Sequence, residues 1–132
     1  MIKKVEVVAA VIHFENEILC VQRPENKLDY ISRKFEFPGG KIENGETQKE
    51  ALARELREEL DIKPLISDLF LTVVHTYPDF ELTMHSYSCT ARSKDLKLKE
   101  HISALWLKKN NLSNLDWAEA DVPIVNKLIQ NG

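Results

Sequence analysis

The sequence is poor in the residues that define several classes of small protein. It has four glycines and only two cysteines, Cys20 and Cys89, among 132 residues. Neither cysteine belongs to a CxxC pair or lies near a histidine at the spacing of a zinc site, which argues against a disulfide scaffold and a zinc module. We therefore expect two reduced thiols in the core.

Long apolar runs and an excess of positive charge are also missing. No run approaches the roughly 20 apolar residues that cross a bilayer, and the N-terminal MIKKVEVVAAVIHFENE lacks a cleavage-like site of a signal peptide. The net charge of −3 leaves no basic excess for binding nucleic acid polymers. These absences predict a cytoplasmic protein that binds neither a membrane nor a nucleic acid polymer.

The remaining composition is that of an ordinary globular domain. Hydrophobic residues make up 43% of the chain and charged residues 30%, both usual for a soluble protein. A chain of 132 residues is long enough to build one core and too short for two ordinary domains. The sequence therefore predicts a single domain over residues 1–132.

β-rich, apolar and alternating runs predict two β-hairpins on either side of a central helix. The first hairpin covers 5–14 and 17–23, and the second covers 65–76 and 80–91. Short strands are expected at 34–37 and 104–107, a strand or loop at 95–101, and a helix at 120–130. The apolar stripe expected on that last helix consists of Val122, Val125, Leu128 and Ile129. This arrangement predicts the α/β class, with a mixed sheet between helices.

The segment 40–62, GKIENGETQKEALARELREELDI, is the most informative part of the chain. The turns Pro38-Gly39-Gly40 and Asn44-Gly45 predict a shaped loop. Thr47 and Glu50 form a capping box, which predicts that a helix begins near Gln48. The buried stripe expected on this helix consists of Ala51, Leu52, Ala53, Leu56 and Leu60.

Three glutamates of this helix share one face. Glu55 precedes Glu58 by three residues and Glu59 by four, so their side chains lie within one helical turn. Because like charges at this spacing repel, we expect a cation to hold them together. Arg54 is one candidate, but a single guanidinium cannot balance three carboxylates, whereas a divalent ion with oxygen ligands can. A solvated acidic face is the alternative that the spacing leaves open.

The same segment resembles the Nudix box. That pattern is Gly, five residues, Glu, seven residues, Arg-Glu, an aliphatic residue, any residue, Glu-Glu, any residue, Gly and an aliphatic residue. The matching positions are Gly40, Glu46, Arg54, Glu55, Leu56, Glu58, Glu59 and Ile62. Asp61 stands where the family has glycine. Since aspartate is among the few residues that tolerate the left-handed conformation of a helix end, we expect the change to affect local stability more than chemistry.

The resemblance implies a Nudix α/β/α sandwich. It is nearest to MutT-like nucleoside triphosphate pyrophosphohydrolases, to which EFPGGKIENGE and WAEADVPIVNKL are also similar. Such enzymes use Mg²⁺, or Mn²⁺, to release a nucleoside monophosphate and pyrophosphate. The metal ligands that the resemblance implies are the Gly39 carbonyl and the carboxylates of Glu55, Glu58, Glu59 and Glu100. It further implies Glu55 or Glu58 as the general base, and Arg54 as the residue that orients the acids.

The resemblance also implies contacts to the substrate. Arg23 would bind phosphate, and Asp121 would face the base where MutT has an asparagine. An ionised aspartate only accepts hydrogen bonds, which favours a cytidine-type or modified nucleotide ahead of 8-oxo-dGTP. Guanine also presents donors, and a protonated aspartate could donate, so 8-oxo-dGTP stays open. Phe80 replaces an arginine of MutT and could stack on the base.

Other interpretations of these residues remain open. Arg23 could be a solvated strand end, Glu100 a loop acid and Asp121 an acid at a helix start. No two of the four histidines, His101 among them, show ligand spacing, so we expect all to be structural or exposed. The substrate could instead be a nucleotide sugar, a dinucleotide or capped RNA, and the box could be vestigial in a nucleotide-binding module. The protein could be a monomer or a homodimer.

Overall fold

A computed structural model describes residues 2–131 of the chain. The strands are β1 (Lys3–Phe14), β2 (Glu17–Gln22), β3 (Phe35–Glu36), β4 (Gly39–Lys41), β5 (Leu65–Thr76), β6 (Phe80–Thr90) and β7 (Ser103–Lys108). The helices are α1 (Gln48–Leu60) and α2 (Val122–Gln130), with 3-10 turns at Lys109–Asn114 and Glu119–Asp121. Within residues 2–131 no helix is long and apolar enough to cross a membrane.

The strands form one mixed sheet in the order β3-β2-β1-β6-β5, with β4 paired to β1 and β7 to β2. Strand β1 runs parallel to β6 over eleven residue pairs, from Lys3 with Phe80 to His13 with Thr90. Its pairs with β2 and β4 are antiparallel. Both expected hairpins are confirmed, the first by the pair Phe14 with Glu17 and the second by β5 and β6.

The two helices cover opposite faces of the sheet. Val8, Ala10 and Ile12 of β1 pack with the apolar residues of α1, whereas Ala9 and Val11 pack with those of α2. This alternation follows from the two-residue period of a strand. The predicted α/β class and the sandwich of a mixed sheet between helices are therefore confirmed.

Local sequence signals set both ends of α1. Thr47 accepts from the Glu50 N–H while the Glu50 carboxylate accepts from the Thr47 N–H, so the expected capping box and the start at Gln48 are confirmed. Asp61 ends the helix at φ 55°, the left-handed conformation expected there. The inclusion of Ala53 in the buried stripe was wrong, because Ala53 is exposed. Each residue of a helix is rotated by about 100° from the one before it, so Ala53 points away from the sheet that Leu52 faces.

The terminal helix differs from the expectation in two respects. It begins at Val122, because Glu119–Asp121 forms a 3-10 turn before it. Its buried residues are Ile124, Val125 and Leu128, whereas Val122 and Ile129 are each 39% exposed. The stripe was wrong at these two positions, since the buried side of this helix runs through Ile124, Val125 and Leu128, which are one, three and four residues apart. Residues 95–101 form a loop rather than a strand.

Both cysteines are free and buried, as expected. Burial raises the pKa of Cys20 and of Cys89 to about 12. Both thiols therefore stay protonated at neutral pH and are poor nucleophiles.

Candidate active site

A cavity of about 570 Å³ lies where α1, β4, the β5–β6 hairpin and the turn before α2 meet. Its volume is within the range of roughly 300–1,000 Å³ that is usual for small-molecule sites. Seven of the nine residues expected from the sequence line it: Arg23, Gly39, Glu55, Glu59, Phe80, Glu100 and Asp121. The fold thus gathers into one cavity residues that are far apart in the chain.

One wall of the cavity is acidic. Burial, together with the nearby carboxyl groups of Glu55, Glu100 and Glu36, raises the pKa of Glu59 to about 8. A raised pKa of this origin means that the negative charges are held close together without enough compensation. The wall has the hard oxygen donors that Mg²⁺ and Mn²⁺ prefer.

Arg54 lies behind this wall and connects the loop to α1. Its guanidinium donates to Glu46 Oε2 at 2.6 Å, to Glu55 Oε1 at 2.8 Å and to the Lys41 carbonyl at 3.0 Å. These bonds raise the pKa of Arg54 further above its ordinary value, so it stays charged. Arg54 does not line the cavity, and its contacts are those of a residue that orients Glu55.

Glu58 is also outside the cavity wall. Its side chain is 54% exposed and lies 3.4 Å from Arg54 Nη1. In the described part of the chain, residues 2–131, no three carboxylate, imidazole or thiol groups are already placed to share one ion. A shared ion therefore requires rotation of the glutamate side chains, and the assignment of Glu58 as a ligand or base stays a prediction.

The absence of a side chain at Gly40 makes room for Glu55. A Cβ atom added at Gly40 would lie 2.3 Å from Glu55 Oε2 and 2.4 Å from its Cδ. We expect Gly40→Ala to push the Glu55 carboxylate from its place and to lower kcat at least about ten-fold, since a shift of about 1 Å in a reacting group can cost a hundred-fold. Steady-state kinetics of the purified variant measures this.

Gly45→Ala is the matched control. Gly45 has φ 83° and no atom within 4 Å of an added Cβ. This substitution should therefore lower stability by about 1–2 kcal/mol through backbone strain and leave kcat unchanged. Equal loss of kcat in both variants would show that the Glu55 contact is not the cause.

The acidic wall also predicts how the metal-free protein responds to pH. The pKa of Glu59 is about 8 in the folded protein and 4.5 ordinarily. The folded state thus binds this proton more tightly than the unfolded chain, so the stabilisation is complete below about pH 4.5 and is lost as the pH rises through about 8. In EDTA, the free energy of unfolding of the wild type should therefore fall relative to that of Glu59→Gln as the pH rises between these limits. A constant difference over the same pH range would contradict the raised pKa of Glu59.

The opposite end of the cavity contains Asp121, which is 4% exposed. Its Oδ1 accepts from the Phe37 N–H at 3.1 Å. Burial, followed by the charge of Glu36, raises the pKa of Asp121 well above its usual range. This shift favours the neutral form, the alternative that the sequence analysis left open, and a neutral carboxyl both donates and accepts.

Sequence reasoning missed two residues of the wall, Glu36 and His101. Glu36 Oε1 accepts from Arg23 Nη1 at 3.1 Å, and Glu36 Oε2 lies 3.0 Å from His101 Nε2. The His101 side chain is only 5% exposed. We expected a structural or exposed histidine, and its position in the cavity wall was not predicted. The alternation of Lys34-Phe35-Glu36-Phe37 could have identified Glu36, because Phe37 faces the core and Glu36 must face the other way.

Comparison with known proteins identifies the family. Residues 7–127 match the NUDIX domain. The chain is 33% identical to the 8-oxo-dGTP diphosphatase of Escherichia coli (strain K12) over 127 residues, which are 96% of this chain and 97% of that protein. It is 32% identical to the CTP pyrophosphohydrolase of the same organism over 123 residues, 93% of this chain and 90% of that protein.

A solved structure agrees with these matches. The solution NMR structure of MutT from methicillin-resistant Staphylococcus aureus 252, described as a Nudix hydrolase, is 40% identical, and the two chains cover each other fully with a TM-score of 0.77. The fold, the box and these matches define a Nudix hydrolase domain, a mixed sheet between two helices. This chain belongs to the Nudix family and is MutT-like, which confirms the resemblance stated from its sequence.

Proposed function

We propose that this protein hydrolyses (deoxy)nucleoside triphosphates to a nucleoside monophosphate and pyrophosphate, with Mg²⁺ or Mn²⁺ as cofactor. The observation that supports this most is that one cavity joins the acidic wall of α1 to the buried carboxyl of Asp121. A triphosphate spans such a cavity with its phosphates at the acids and its base at Asp121. Two relatives are named as an 8-oxo-dGTP diphosphatase and a CTP pyrophosphohydrolase, and both names describe hydrolysis of a nucleoside triphosphate.

The chemistry that a divalent ion supplies in such a site is neutralisation of phosphate charge and activation of water. The donors proposed to hold it are the Gly39 carbonyl and the carboxylates of Glu55, Glu58, Glu59 and Glu100. Glu55 is the better placed general base of the two candidates, because it lines the cavity and Arg54 fixes one of its oxygens. Glu58 is the alternative base.

Arg23 is proposed to bind phosphate. Only one nitrogen of its guanidinium, Nη1, donates to Glu36 among the bonds of residues 2–131, and a guanidinium has five N–H donors. Glu36 thus fixes the side chain at the cavity wall and leaves donors for phosphate oxygens. This arrangement favours phosphate binding over the alternative of a solvated strand end.

The proposed substrates are cytidine-type or modified nucleotides, oxidised or methylated. A neutral Asp121 offers one donor and one acceptor, which suits the N3 acceptor and N4 amino group of cytosine. The same pair suits the O6 acceptor and N7–H of an 8-oxoguanine, so 8-oxo-dGTP is the second candidate. Phe80 lines this end of the cavity and is proposed to stack on the base.

A panel of substrates tests the proposal. The purified protein with Mg²⁺ is incubated with canonical, methylated and oxidised nucleoside triphosphates, and with nucleotide sugars and dinucleotides, while pyrophosphate and nucleoside monophosphate are measured. We expect turnover of at least one triphosphate with one pyrophosphate released per monophosphate. Turnover of diphosphate-linked compounds alone would assign the same site to another Nudix substrate, and no turnover at all would indicate a binding module.

Asp121→Asn distinguishes the two protonation states of this residue. Asparagine keeps the acceptor for the Phe37 N–H and a fixed donor, so we expect it to preserve the ranking of bases at neutral pH. We also expect its selectivity to stay constant with pH, whereas that of the wild type should fall as Asp121 ionises. Ratios of kcat/KM across the panel between about pH 6 and 9 measure this. A changed ranking at neutral pH would instead show that Asp121 reads the base in its ionised form.

The wider setting is proposed from the same reasoning. We infer that the chain acts as a single domain, as a monomer or homodimer, on free nucleotides of the cytoplasmic pool rather than on nucleic acid polymers. Removal of modified nucleotides from that pool is the proposed physiological task.

A further inference from the structure

The loop between β2 and β3, residues 24–33, is a compact unit tied by its own hydrogen bonds. The Asn26 N–H donates to Ser32 Oγ at 2.9 Å, and the Ser32 N–H donates to the Leu28 carbonyl at 3.0 Å. At its base the Arg23 N–H donates to the Lys34 carbonyl at 2.9 Å. Because these bonds join the loop to itself, a constraint at Tyr30 orients its neighbour Ile31, whereas the Arg23 side chain is held separately by its bond to Glu36.

Tyr30 connects this loop to the β5–β6 turn. Its hydroxyl donates to the carboxylate of Asp79, and its ring stacks on that of Tyr77 with centroids 5.0 Å apart and planes inclined by 17°. Burial and the Asp79 carboxylate raise the pKa of Tyr30 to about 12, so the hydroxyl remains a donor at neutral pH. The contact therefore combines an oriented hydrogen bond with a stacked ring pair.

Tyr77 extends the connection to a third segment. Its ring lies 5.1 Å from that of Phe80, and its hydroxyl accepts from the Ala120 N–H at 3.0 Å. Ala120 directly precedes Asp121. The three rings of Tyr30, Tyr77 and Phe80 therefore join the three segments that carry Ile31, Phe80 and Asp121 to the nucleoside end of the cavity.

We propose that Tyr30 and Asp79 form a clasp that positions the nucleoside end of the cavity. Both lie outside the cavity lining, whereas Ile31, next to Tyr30, and Phe80, next to Asp79, line it. The clasp holds these two neighbours at a fixed separation across the space for the base. Tyr30 and Asp79 are thus positioning residues: they set affinity for the nucleoside without touching the phosphates.

This inference rests on the proposed function, and its test separates the two ends of the substrate. Tyr30→Phe removes only the phenolic oxygen and keeps the stacked ring, whereas Asp79→Ala removes the acceptor. Inhibition constants are measured for the nucleoside monophosphate product and for pyrophosphate, with KM and kcat for the best triphosphate of the panel. Tyr87→Phe is the matched control, because it also removes a tyrosine hydroxyl bond, at 2.7 Å to Gln48, on the face of the sheet that packs under α1.

Each single variant should raise KM and the inhibition constant of the monophosphate about five-fold, the effect of losing roughly one net hydrogen bond. The pyrophosphate constant and kcat should stay within about two-fold, and the Tyr30→Phe/Asp79→Ala double variant should be no worse than either single variant, because both remove the same interaction. Tyr87→Phe should leave both constants unchanged.

Three results would overturn the clasp. They are an unchanged monophosphate constant in both single variants, an equal rise of the pyrophosphate constant, and effects that add in the double variant. A wild-type protein without any triphosphate turnover would refute the proposed function instead. Thermal melting of each variant shows whether lost affinity reflects a lost fold.

Discussion

Glu55→Gln is expected to lower kcat by about a hundred- to ten-thousand-fold, the range that general base catalysis contributes. The substitution removes a negative charge and a proton acceptor from the cavity wall without changing the volume of the side chain. The Glu55 side chain is 14% exposed and keeps its neighbours Arg54 and Gly40 in either form, so the fold should be retained. Single-turnover kinetics with a saturating triphosphate measures the loss in the chemical step.

Two further variants, Glu59→Gln and Asp68→Asn, distinguish loss of a base from loss of a metal ligand and from loss of one charge. Glu59 is proposed as a metal ligand only, so its variant should regain part of its rate at raised Mg²⁺, whereas Glu55→Gln as a lost base should not. Asp68 is exposed on the edge strand β5, so Asp68→Asn controls for loss of one charge and should keep the wild-type rate. Full activity of Glu55→Gln, or its recovery by Mg²⁺ alone, would transfer the role of base to Glu58.

Arg54→Lys is expected to have the second largest effect. Lysine keeps the charge but loses the planar fork that reaches Glu46, Glu55 and the Lys41 carbonyl together. We expect the free energy of unfolding to fall by about 2 kcal/mol, since hydrogen bonds between charged groups contribute roughly 1.5–3 kcal/mol. We expect kcat/KM to fall about ten- to a hundred-fold, because Glu55 is no longer held in place.

Arg57→Lys is the matched control for Arg54→Lys. Arg57 lies one turn further along α1, and its side chain is exposed. Chemical denaturation and steady-state kinetics on both variants separate the effect of the fork from that of any arginine on this helix. Wild-type kinetics in Arg54→Lys would show that the contacts of Arg54 serve the fold and not the acids.

Local features of the sequence account for α1 and for the acids on it. The capping box depends on two residues three positions apart, and the spacing of Glu55 and Glu59 depends only on the pitch of a helix. Apolar and β-branched runs likewise predicted both hairpins, since a strand buried on both faces is apolar on both. These interactions extend over a few residues, which is why the sequence alone could show them.

Features that depend on distant packing were harder to predict. The exposure of Ile129 depends on which parts of the chain pack over the end of α2, and the local apolar pattern does not give that. Glu36 and His101 were missed because their contact joins positions 65 residues apart. The Tyr30 clasp joins positions 49 residues apart and has no local signal at all.

The sequence by itself therefore determined the family box, the acidic face of α1, the two hairpins and the two cysteines of the core. Only the tertiary structure decided which of the acids face the cavity, with Glu55 and Glu59 at its wall and Glu58 toward solvent. It also decided the direction in which the pKa of Asp121 is shifted, which the sequence could not give. The physical reason is that a pKa depends on burial and on nearby charges, and both are properties of the packed chain rather than of its local sequence.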